Sequence, residues 1–301
     1  MARTLAATAR HGGRDLDVIP TAALEAVPGA SGAATAPRIT PLAGGLVNRS
    51  FLVETAAGRF VLRLNAAAAI TASLGVDRAL EIEAHQLAAS AGLAPRIVAS
   101  AADHAFLVTE FVAGARVPLA TLEAGEGLRR LGLTLARLRT LPLGSLRGGP
   151  AAMPLIERAR QLVGRAIGAA SAADAASLAR SLDAAERGWE QAGGGTREAC
   201  LVHSDPNPDN VVAVPGDGPC VLLDWEYAHR GDPLQDPAAW LQASGRDWAE
   251  RLPAVWRASS LQGLADERML AGMVAVYDTL ALAWQALAET AAGIPGAGRA
   301  N

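Results

Sequence analysis

The sequence contains no lysine, since all 27 basic residues among its 301 residues are arginines. This absence excludes mechanisms that need a Schiff-base lysine or the lysine of a Walker A phosphate loop. Cysteine is scarce as well. Cys200 and Cys220 each adjoin an apolar run, without the density or spacing of a disulfide framework or a zinc site. We interpret both as buried free thiols.

Strong charge and long uncharged apolar segments are also missing. The formal net charge is −3 and no run of basic residues occurs, which argues against nucleic acid or an anionic membrane as a partner. The N-terminus has no apolar stretch of signal-peptide length, and no later uncharged segment is long enough to span a bilayer. We therefore expect a cytoplasmic protein with a small-molecule partner.

Hydrophobic patterning divides the chain into three parts. Residues 1–37, rich in Gly, Ala and Pro towards their end, predict a loose N-terminal segment. Residues 38–113 predict a lobe of strand, strand, helix, strand and strand, in which RITPLAGGLVNRSFLVET and GRFVLRLN form a hairpin and Gly92 ends the helix. Residues 114–301 contain Ala/Leu/Arg segments with helical periodicity around one β-like insertion, EACLVHSD to CVLLDWEY. The predicted fold class is α+β, with a small β-rich N-terminal lobe and a larger, mainly helical C-terminal lobe.

Polar residues cluster between the apolar runs of this insertion. The segment LVHSDPNPDNVV places His203, Asp205 and Asn210 in a loop stiffened by proline, and a later apolar run ends at Asp224. Phosphoryl transfer needs one carboxylate to accept the proton of the attacking hydroxyl, and separate oxygen ligands to hold Mg²⁺ on the nucleotide phosphates. Asp205 suits the first task, and Asn210 with Asp224 suits the second. The pattern therefore predicts a phosphoryl-transfer site.

The segments HSDPNPDN and LLDWEYAHRGDPLQDPAAW together resemble the aminoglycoside phosphotransferase and choline kinase superfamily, and LLDWEYA is most similar to the choline kinase and thiamine kinase branches. The resemblance implies a two-lobed protein-kinase-like fold with ATP and Mg²⁺ as cofactors. It implies that Asp205 is the catalytic base and that Asn210 and Asp224 bind magnesium. His203 would support the catalytic loop, and Asp236 would be the buried acid that braces this loop through backbone amides.

The resemblance also implies a nucleotide site in the first lobe. Arg63, in FVLRLN, occupies the position at which kinases usually carry a phosphate-binding lysine, and Arg is also seen there in the choline and thiamine kinase branches. Its partner would be Glu81, with Glu83 as the alternative. The other nucleotide contacts implied, in GGLVNRSFLV and in the hinge LVTEFVAG, are Gly44, Gly45, Asn48, Ser50, Glu110, Phe111 and Val112.

Aromatic residues are distributed unevenly, because all six Trp and both Tyr lie at or after Trp189, in the lobe where members of this superfamily bind the acceptor. Aromatic faces attract organic cations. We therefore expect a small, cationic acceptor with a hydroxyl group, of the choline, ethanolamine or thiamine type. The residues predicted to line its site are Trp225, Glu226, Asp232, Trp240, Tyr277 and Trp284.

Three other functions stay open at this point. An aminoglycoside or other antibiotic phosphotransferase would usually need a more acidic acceptor surface than this arginine-interspersed lobe offers. A phosphatase-like metal hydrolase that uses His203, Asp205, Asp224 and His229 leaves the glycine turn, Arg63 and the hinge unexplained. A catalytically silent, kinase-like nucleotide-binding module would not need the intact catalytic and metal-binding residues.

Overall fold

The computed structural model describes residues 19–31, 36–42, 47–116, 125–147, 154–245 and 247–291. The chain divides into two compact units. One contains residues 1–66 together with 98–111, and the other contains residues 67–97 together with 112–301.

The first unit is built on a five-stranded sheet. Its strands are β1 (Arg38–Leu42), β2 (Arg49–Thr55), β3 (Gly58–Leu64), β4 (Ile97–Ser100) and β5 (Phe106–Glu110), in the spatial order β1-β2-β3-β5-β4. The predicted hairpin joins β2 and β3, which pair antiparallel from Arg49 opposite Leu64 to Thr55 opposite Gly58. Alternating side chains such as Phe51 and Val53 point to one face, where they pack with the short helix α1 (Thr21–Glu25).

The second unit is mainly helical. Its helices are α2 (Ala68–Ser73), α3 (Arg78–Ser90), α4 (Gly125–Arg139), α5 (Leu155–Ala169), α6 (Ala172–Gln191), α7 (Gln235–Ala243), α8 (Trp248–Ala258) and α9 (Glu267–Ala291). Its strands are β6 (Ala115–Arg116), β7 (Cys200–Val202), β8 (Val211–Ala213), β9 (Val221–Leu222) and β10 (His229–Gly231). They form a three-stranded sheet, β6-β8-β9, and a two-stranded sheet, β10-β7. Cys200 and Cys220 are free and buried, as predicted.

Helix α3 belongs to the second unit, whereas the predicted lobe 38–113 included it. Asp77 caps its N-terminus, because its carboxylate accepts hydrogen bonds from the backbone amides of Ala79 and Leu80. Gly92 follows the end of the helix in the left-handed conformation, with φ 74°. The helix buries Leu80 and Ala84 in the core of the second unit. The pattern predicts the helix correctly, but the unit to which it belongs depends on this long-range packing.

Helix α9 is long and apolar enough to cross a membrane by length and composition, over residues Glu267–Ala288. The sequence predicts no uncharged segment long enough to span a bilayer. Half of the most apolar window is buried inside the protein, and the helix packs against α5, α6 and α7. These contacts are those of a core helix in the second unit.

The contact between α6 and α9 depends on two glycines. A Cβ at Gly188 would overlap the carbonyl oxygen of Gly272, and a Cβ at Gly272 would lie 2.5 Å from the carbonyl oxygen of Gly188. Replacing Gly188 by Ala is therefore expected to lower the free energy of unfolding by about 1–3 kcal/mol, since the helices must separate. Urea unfolding measures this change.

The matched control is Gly164→Ala in the middle of α5, where an added Cβ meets nothing within 4 Å. This substitution should be neutral or stabilising by up to about 1 kcal/mol, because Ala has the higher helix propensity. Equal effects of Gly188→Ala and Gly164→Ala would contradict the close approach of α6 and α9.

Candidate active site

The loop after β7 is held by a buried acid in the first turn of α7. Asp236, only 4% exposed, accepts hydrogen bonds from the backbone amides of His203 at 3.0 Å and Ser204 at 2.7 Å. Ser204 has φ 70°, a left-handed conformation that is strained for a residue with a Cβ. The two hydrogen bonds from these amides to Asp236 therefore stabilise a backbone conformation that the loop would not adopt alone. Asp236 is thus placed to brace the loop, as predicted.

His203 links this loop to the residue before Asp224. The imidazole is fully buried, with Nε2 2.8 Å from the carbonyl oxygen of Leu223, and Nδ1 accepts from the Asp205 amide at 3.3 Å. Burial lowers the pKa of His203 to about 4, so the ring is neutral and its hydrogen is on Nε2. Its edge packs on the ring of Trp225, with the centroids 4.7 Å apart.

Both carboxylate oxygens of Asp205 are oriented by amides of the same loop. Oδ1 accepts from Nδ2 of Asn207 at 2.9 Å, and Oδ2 accepts from Nδ2 of Asn210 at 3.0 Å. Burial raises the pKa of Asp205 to about 6, while the hydrogen bonds from Asn207 and Asn210 oppose the rise. A fixed carboxylate with a pKa closer to neutrality is a better proton acceptor than an exposed one.

Asn210 and Asp224 stand on adjacent chain segments. The Leu223 amide donates to the carbonyl oxygen of Asn210 at 2.8 Å, directly before Asp224, which is exposed and has φ 61°. Asn210 uses Nδ2 on Asp205, so Oδ1 is the atom that it can offer to a cation. An amide oxygen with a carboxylate is a donor set that would fit Mg²⁺, which prefers oxygen ligands.

No group of three or more His, Cys, Asp and Glu side chains that could hold a metal ion occurs among the residues described.

A buried ion cluster includes Glu226, which lies near Asp224 in the chain. Arg78, in α3, donates to Glu81 at 2.7 Å and to Glu226 at 3.1 Å, and these three side chains are 9%, 1% and 9% exposed. Glu83, the alternative partner for Arg63, instead forms an ion pair with Arg147. The cluster connects α3 with the chain just after Asp224 through ion pairs. Glu81 is buried in the protein interior, whereas Glu83 is partly exposed.

With this geometry established, comparisons identify the family. The profile of the APH family, described as the phosphotransferase enzyme family, matches residues 38–274. The chain belongs to this family. It is a phosphotransferase that acts on hydroxyl groups, which confirms the predicted superfamily and enzyme class. No curated protein matches the sequence.

Solved structures share its fold. A choline/ethanolamine kinase family protein from Mesorhizobium loti is 22% identical, with 92% of this chain and 87% of that chain covered and a TM-score of 0.63. The choline kinase LicA from Streptococcus pneumoniae is 18% identical, with 87% and 88% covered and a TM-score of 0.64. The ADP-bound aminoglycoside phosphotransferase APH(2'')-Ib is 14% identical, with 84% and 93% covered and a TM-score of 0.55. The predicted α+β, kinase-like fold class is confirmed.

The predicted nucleotide residues of the phosphotransferase lie mainly in the first unit. Arg63 and Ser50 are opposite each other on β3 and β2, and Nε of Arg63 donates to Oδ1 of Asn65 at 2.9 Å. Asn48 accepts from the Ala66 amide at 3.2 Å, which fixes the start of β2. Gly44 and Gly45 lie outside the described residues. The pairing of Arg63 with Glu81, which is in the second unit, stays a prediction.

The predicted hinge follows β5. The Phe111 amide donates to the carbonyl oxygen of Arg59 at 3.0 Å, and the Arg59 guanidinium lies 4.5 Å from the Phe111 ring centroid. Of the three hinge residues, Phe111 therefore has an amide that is unavailable to adenine. The backbone groups of Glu110 and Val112 stay the predicted contacts.

Three residues predicted to line the acceptor site are structural instead. Trp225 and Trp240 are fully buried in the core, where their rings cannot touch a ligand. Asp232, 6% exposed, accepts from Nε of Arg197 at 2.9 and 3.0 Å and caps the turn before α7 through the Leu234 amide. These predictions were wrong because aromatic or acidic character does not specify which way a side chain points.

Of two tyrosines and an arginine near the catalytic loop, only Tyr277 was predicted from the sequence to line the acceptor site, whereas Tyr227 and Arg158 were not. Oη of Tyr277 lies 2.8 Å from Oγ of Ser204, and Tyr227 accepts a hydrogen bond from Nε1 of Trp284. Trp284 and Tyr227 are partly exposed, as an acceptor site requires. Arg158, in the first turn of α5, lies near both tyrosines. Of these residues, only Tyr227 could have been placed near the catalytic site from the local sequence, because it lies three residues after Asp224.

Proposed function

We propose that the phosphotransferase moves the γ-phosphoryl group of ATP to a hydroxyl group of a small molecule, with Asp205 as the base. The observation that carries the proposal is the Asp205 carboxylate, which is held by Asn207 and Asn210 on a loop braced by Asp236. A catalytically silent module would have no use for this arrangement.

The chain's own groups suggest how the reaction proceeds. Asp205 orients the acceptor hydroxyl and takes its proton as the oxygen attacks the γ-phosphorus. Oδ1 of Asn210 and the carboxylate of Asp224 would hold Mg²⁺, which when bound neutralises charge on the phosphates. Catalysis then depends on positioning and on charge stabilisation, as is general for phosphoryl transfer.

ATP as the donor is supported by solved structures of similar fold that contain AMP or ADP. In this proposal Arg63 contacts the phosphates, Glu81 positions Arg63, and the glycine turn with Asn48 and Ser50 covers the phosphates. The hinge residues bind adenine.

The acceptor class first expected from the sequence is a small cation such as choline, ethanolamine or thiamine. Solved structures of similar fold that are described as choline or choline/ethanolamine kinases support a small cation as a candidate acceptor. Its weakness is that the two fully buried tryptophans and the ion-paired Asp232 do not form the expected wall. An aminoglycoside acceptor is the second candidate, supported by the similarity to aminoglycoside phosphotransferases.

The experiment that tests this function is magnesium-dependent ADP release from ATP by the purified protein with choline, ethanolamine, thiamine and several aminoglycosides. Stimulation by one compound, with a phosphate ester as the product, would establish the kinase and its acceptor. Slow ADP release without any acceptor effect would support a kinase whose acceptor is outside the panel. No ADP release in any condition would contradict the proposal.

Replacing Asp224 by Ala tests the proposed metal site. Because metal-borne charge stabilisation contributes several kcal/mol, we expect kcat to fall by at least about 100-fold and the magnesium requirement to rise. A magnesium titration of ADP release measures both. Asp217→Ala, an exposed acid in the loop between β8 and β9, is the control and should match the wild type. An unchanged magnesium dependence in Asp224→Ala would remove Asp224 from the site.

A further inference from the structure

Among the residues that the structure describes, no acidic side chain pairs with Arg158. Its Nη1 lies 3.1 Å from Nδ1 of His229, and within the described part of the chain this is its only hydrogen-bonding partner and it forms no ion pair. Two other interior arginines are paired with acids, Arg197 with Asp232 and Arg78 with Glu81, and the buried Arg130 donates to the backbone carbonyl oxygens of Gly218 and Val214. Burial lowers the pKa of the Arg158 guanidinium, which indicates a deep position, yet the side chain keeps partial solvent access.

His229, the hydrogen-bonding partner of Arg158, is uncharged, and its Nδ1 atom also lies near a second group. Burial, followed by the charge of Arg158, lowers the pKa of His229 to about 3, so the imidazole is uncharged. Its Nδ1 also lies 2.9 Å from the carbonyl oxygen of Tyr227. If Nδ1 donates to that carbonyl, it cannot also accept from Arg158. The guanidinium therefore has one neutral hydrogen bond at most, although it offers five N–H donors.

Tyr277 connects Arg158 with the catalytic loop. Its hydroxyl lies 2.8 Å from Oγ of Ser204, the residue before Asp205. Burial is the main cause that raises the pKa of Tyr277; the carboxylates of Asp236 and Asp205 add to the rise, and the charge of Arg158 opposes it. The Tyr277 hydroxyl therefore contacts the catalytic loop at Ser204, and the charges of Arg158 and Asp205 both act on it.

Tyr227 provides a second donor in the same region. Its Oη accepts the hydrogen of Trp284 Nε1, so its own hydroxyl hydrogen can be donated to a ligand oxygen. Arg158, Tyr227 and Trp284 all keep partial exposure. Two hydrogen-bond donors near the catalytic loop, the Arg158 guanidinium with its positive charge and the Tyr227 hydroxyl, are therefore partly exposed.

An interior guanidinium without a counter-charge is costly for folding. A ligand that carries the counter-charge would remove that cost, and the planar fork of Arg matches a carboxylate in a bidentate geometry. A cationic group in the same position would instead be repelled.

We propose that the acceptor carries an anionic oxygen group, a carboxylate in the first instance, which binds Arg158 and the Tyr227 hydroxyl while its hydroxyl group is phosphorylated at Asp205. The inference rests on the proposed kinase function and narrows its acceptor to hydroxy acids, in place of the cations expected from the sequence.

The test compares short hydroxy acids, diols and amino alcohols, matched in length, as acceptors for Mg·ATP. The wild type should prefer hydroxy acids. Arg158→Gln should lower kcat/KM for hydroxy acids by about 10- to 100-fold, mainly through KM, because hydrogen bonds to charged groups contribute about 1.5–3 kcal/mol. Diols should be unaffected, and Arg158→Lys should restore part of the loss. Arg160→Gln, an exposed arginine on the same helix, is the matched control and should retain the wild-type preference.

Preference for amino alcohols, or an equal loss for all acceptors in Arg158→Gln, would overturn the proposal. A merely structural Arg158 would also give a lower Tm on substitution, whereas an uncompensated charge predicts a Tm for Arg158→Gln at or above the wild-type value.

A binding measurement keeps the inference testable if no compound in the panel is phosphorylated. Short hydroxy acids should raise the Tm of the wild type in the presence of Mg·ADP, and should not raise that of Arg158→Gln. No shift, or equal shifts in both proteins, would overturn it. Failure of the kinase function would appear separately, as ADP release that is absent or independent of Asp205.

Discussion

Replacing Asp205 by Asn is expected to lower kcat by about 10²- to 10⁴-fold, the range that general base catalysis contributes. Asn has the same shape as Asp but cannot take the proton of the acceptor hydroxyl. Asn207 and Asn210 lose a charged hydrogen-bond acceptor, but Asp236 still braces the loop. ATP affinity should therefore stay close to that of the wild type.

Turnover and nucleotide affinity must be measured on the same preparation of the Asp205→Asn variant. The control is Asp209→Asn, in the same loop, whose side chain is 83% exposed and pairs with the exposed Arg116. An exposed pair of this kind contributes little, so the control should keep full activity. Near-normal turnover of Asp205→Asn would remove Asp205 from the chemistry, and loss of ATP binding would show that the substitution disturbs more than the base.

Replacing Asp236 by Ala is expected to lower the free energy of unfolding by roughly 2–6 kcal/mol, at about 1–3 kcal/mol for each buried donor left without an acceptor. The donors are the amides of His203 and Ser204. Without the hydrogen bonds from these amides to Asp236, Ser204 can leave its left-handed conformation. This change moves Asp205 and removes activity. Urea unfolding and ADP release measure the two effects.

A double variant separates the brace from simple packing loss. Ser204→Gly removes the penalty for φ 70°, so Asp236→Ala combined with Ser204→Gly should be less destabilised than the sum of the single variants. Strict additivity would mean that Asp236 does not stabilise the backbone of Ser204.

Much of the catalytic loop follows from local sequence. Asp205 and Asn210, which form a hydrogen bond at 3.0 Å, are only five residues apart on a proline-stiffened loop, so the pair can be found in the local sequence, whereas the backbone shape of the loop also depends on Asp236. The β2–β3 hairpin and the helices of the second unit also have local signals, namely alternation for strands and a period of 3.6 for helices.

The acceptor site could not be predicted in the same way. Whether Trp240 packs inside the core or faces a ligand depends on the packing of α7 with its neighbours. Whether Arg158 or Arg197 has an acid beside it depends on residues far away in sequence, such as Asp232 for Arg197. The sequence shows that the Trp and Tyr residues all lie in one lobe. What that lobe can bind depends on which of these rings are buried and on which arginines are paired with acids.

The most direct test of the central claim is the fate of the γ-phosphate. The wild type and Asp205→Asn would be incubated with magnesium, γ-labelled ATP and a mixture of hydroxyl-bearing metabolites that includes the hydroxy acids, and the labelled products separated. We expect label in an organic phosphate ester, formed by the wild type and nearly absent with Asp205→Asn. Label that stays in ATP, or an ester formed equally by both proteins, would contradict it.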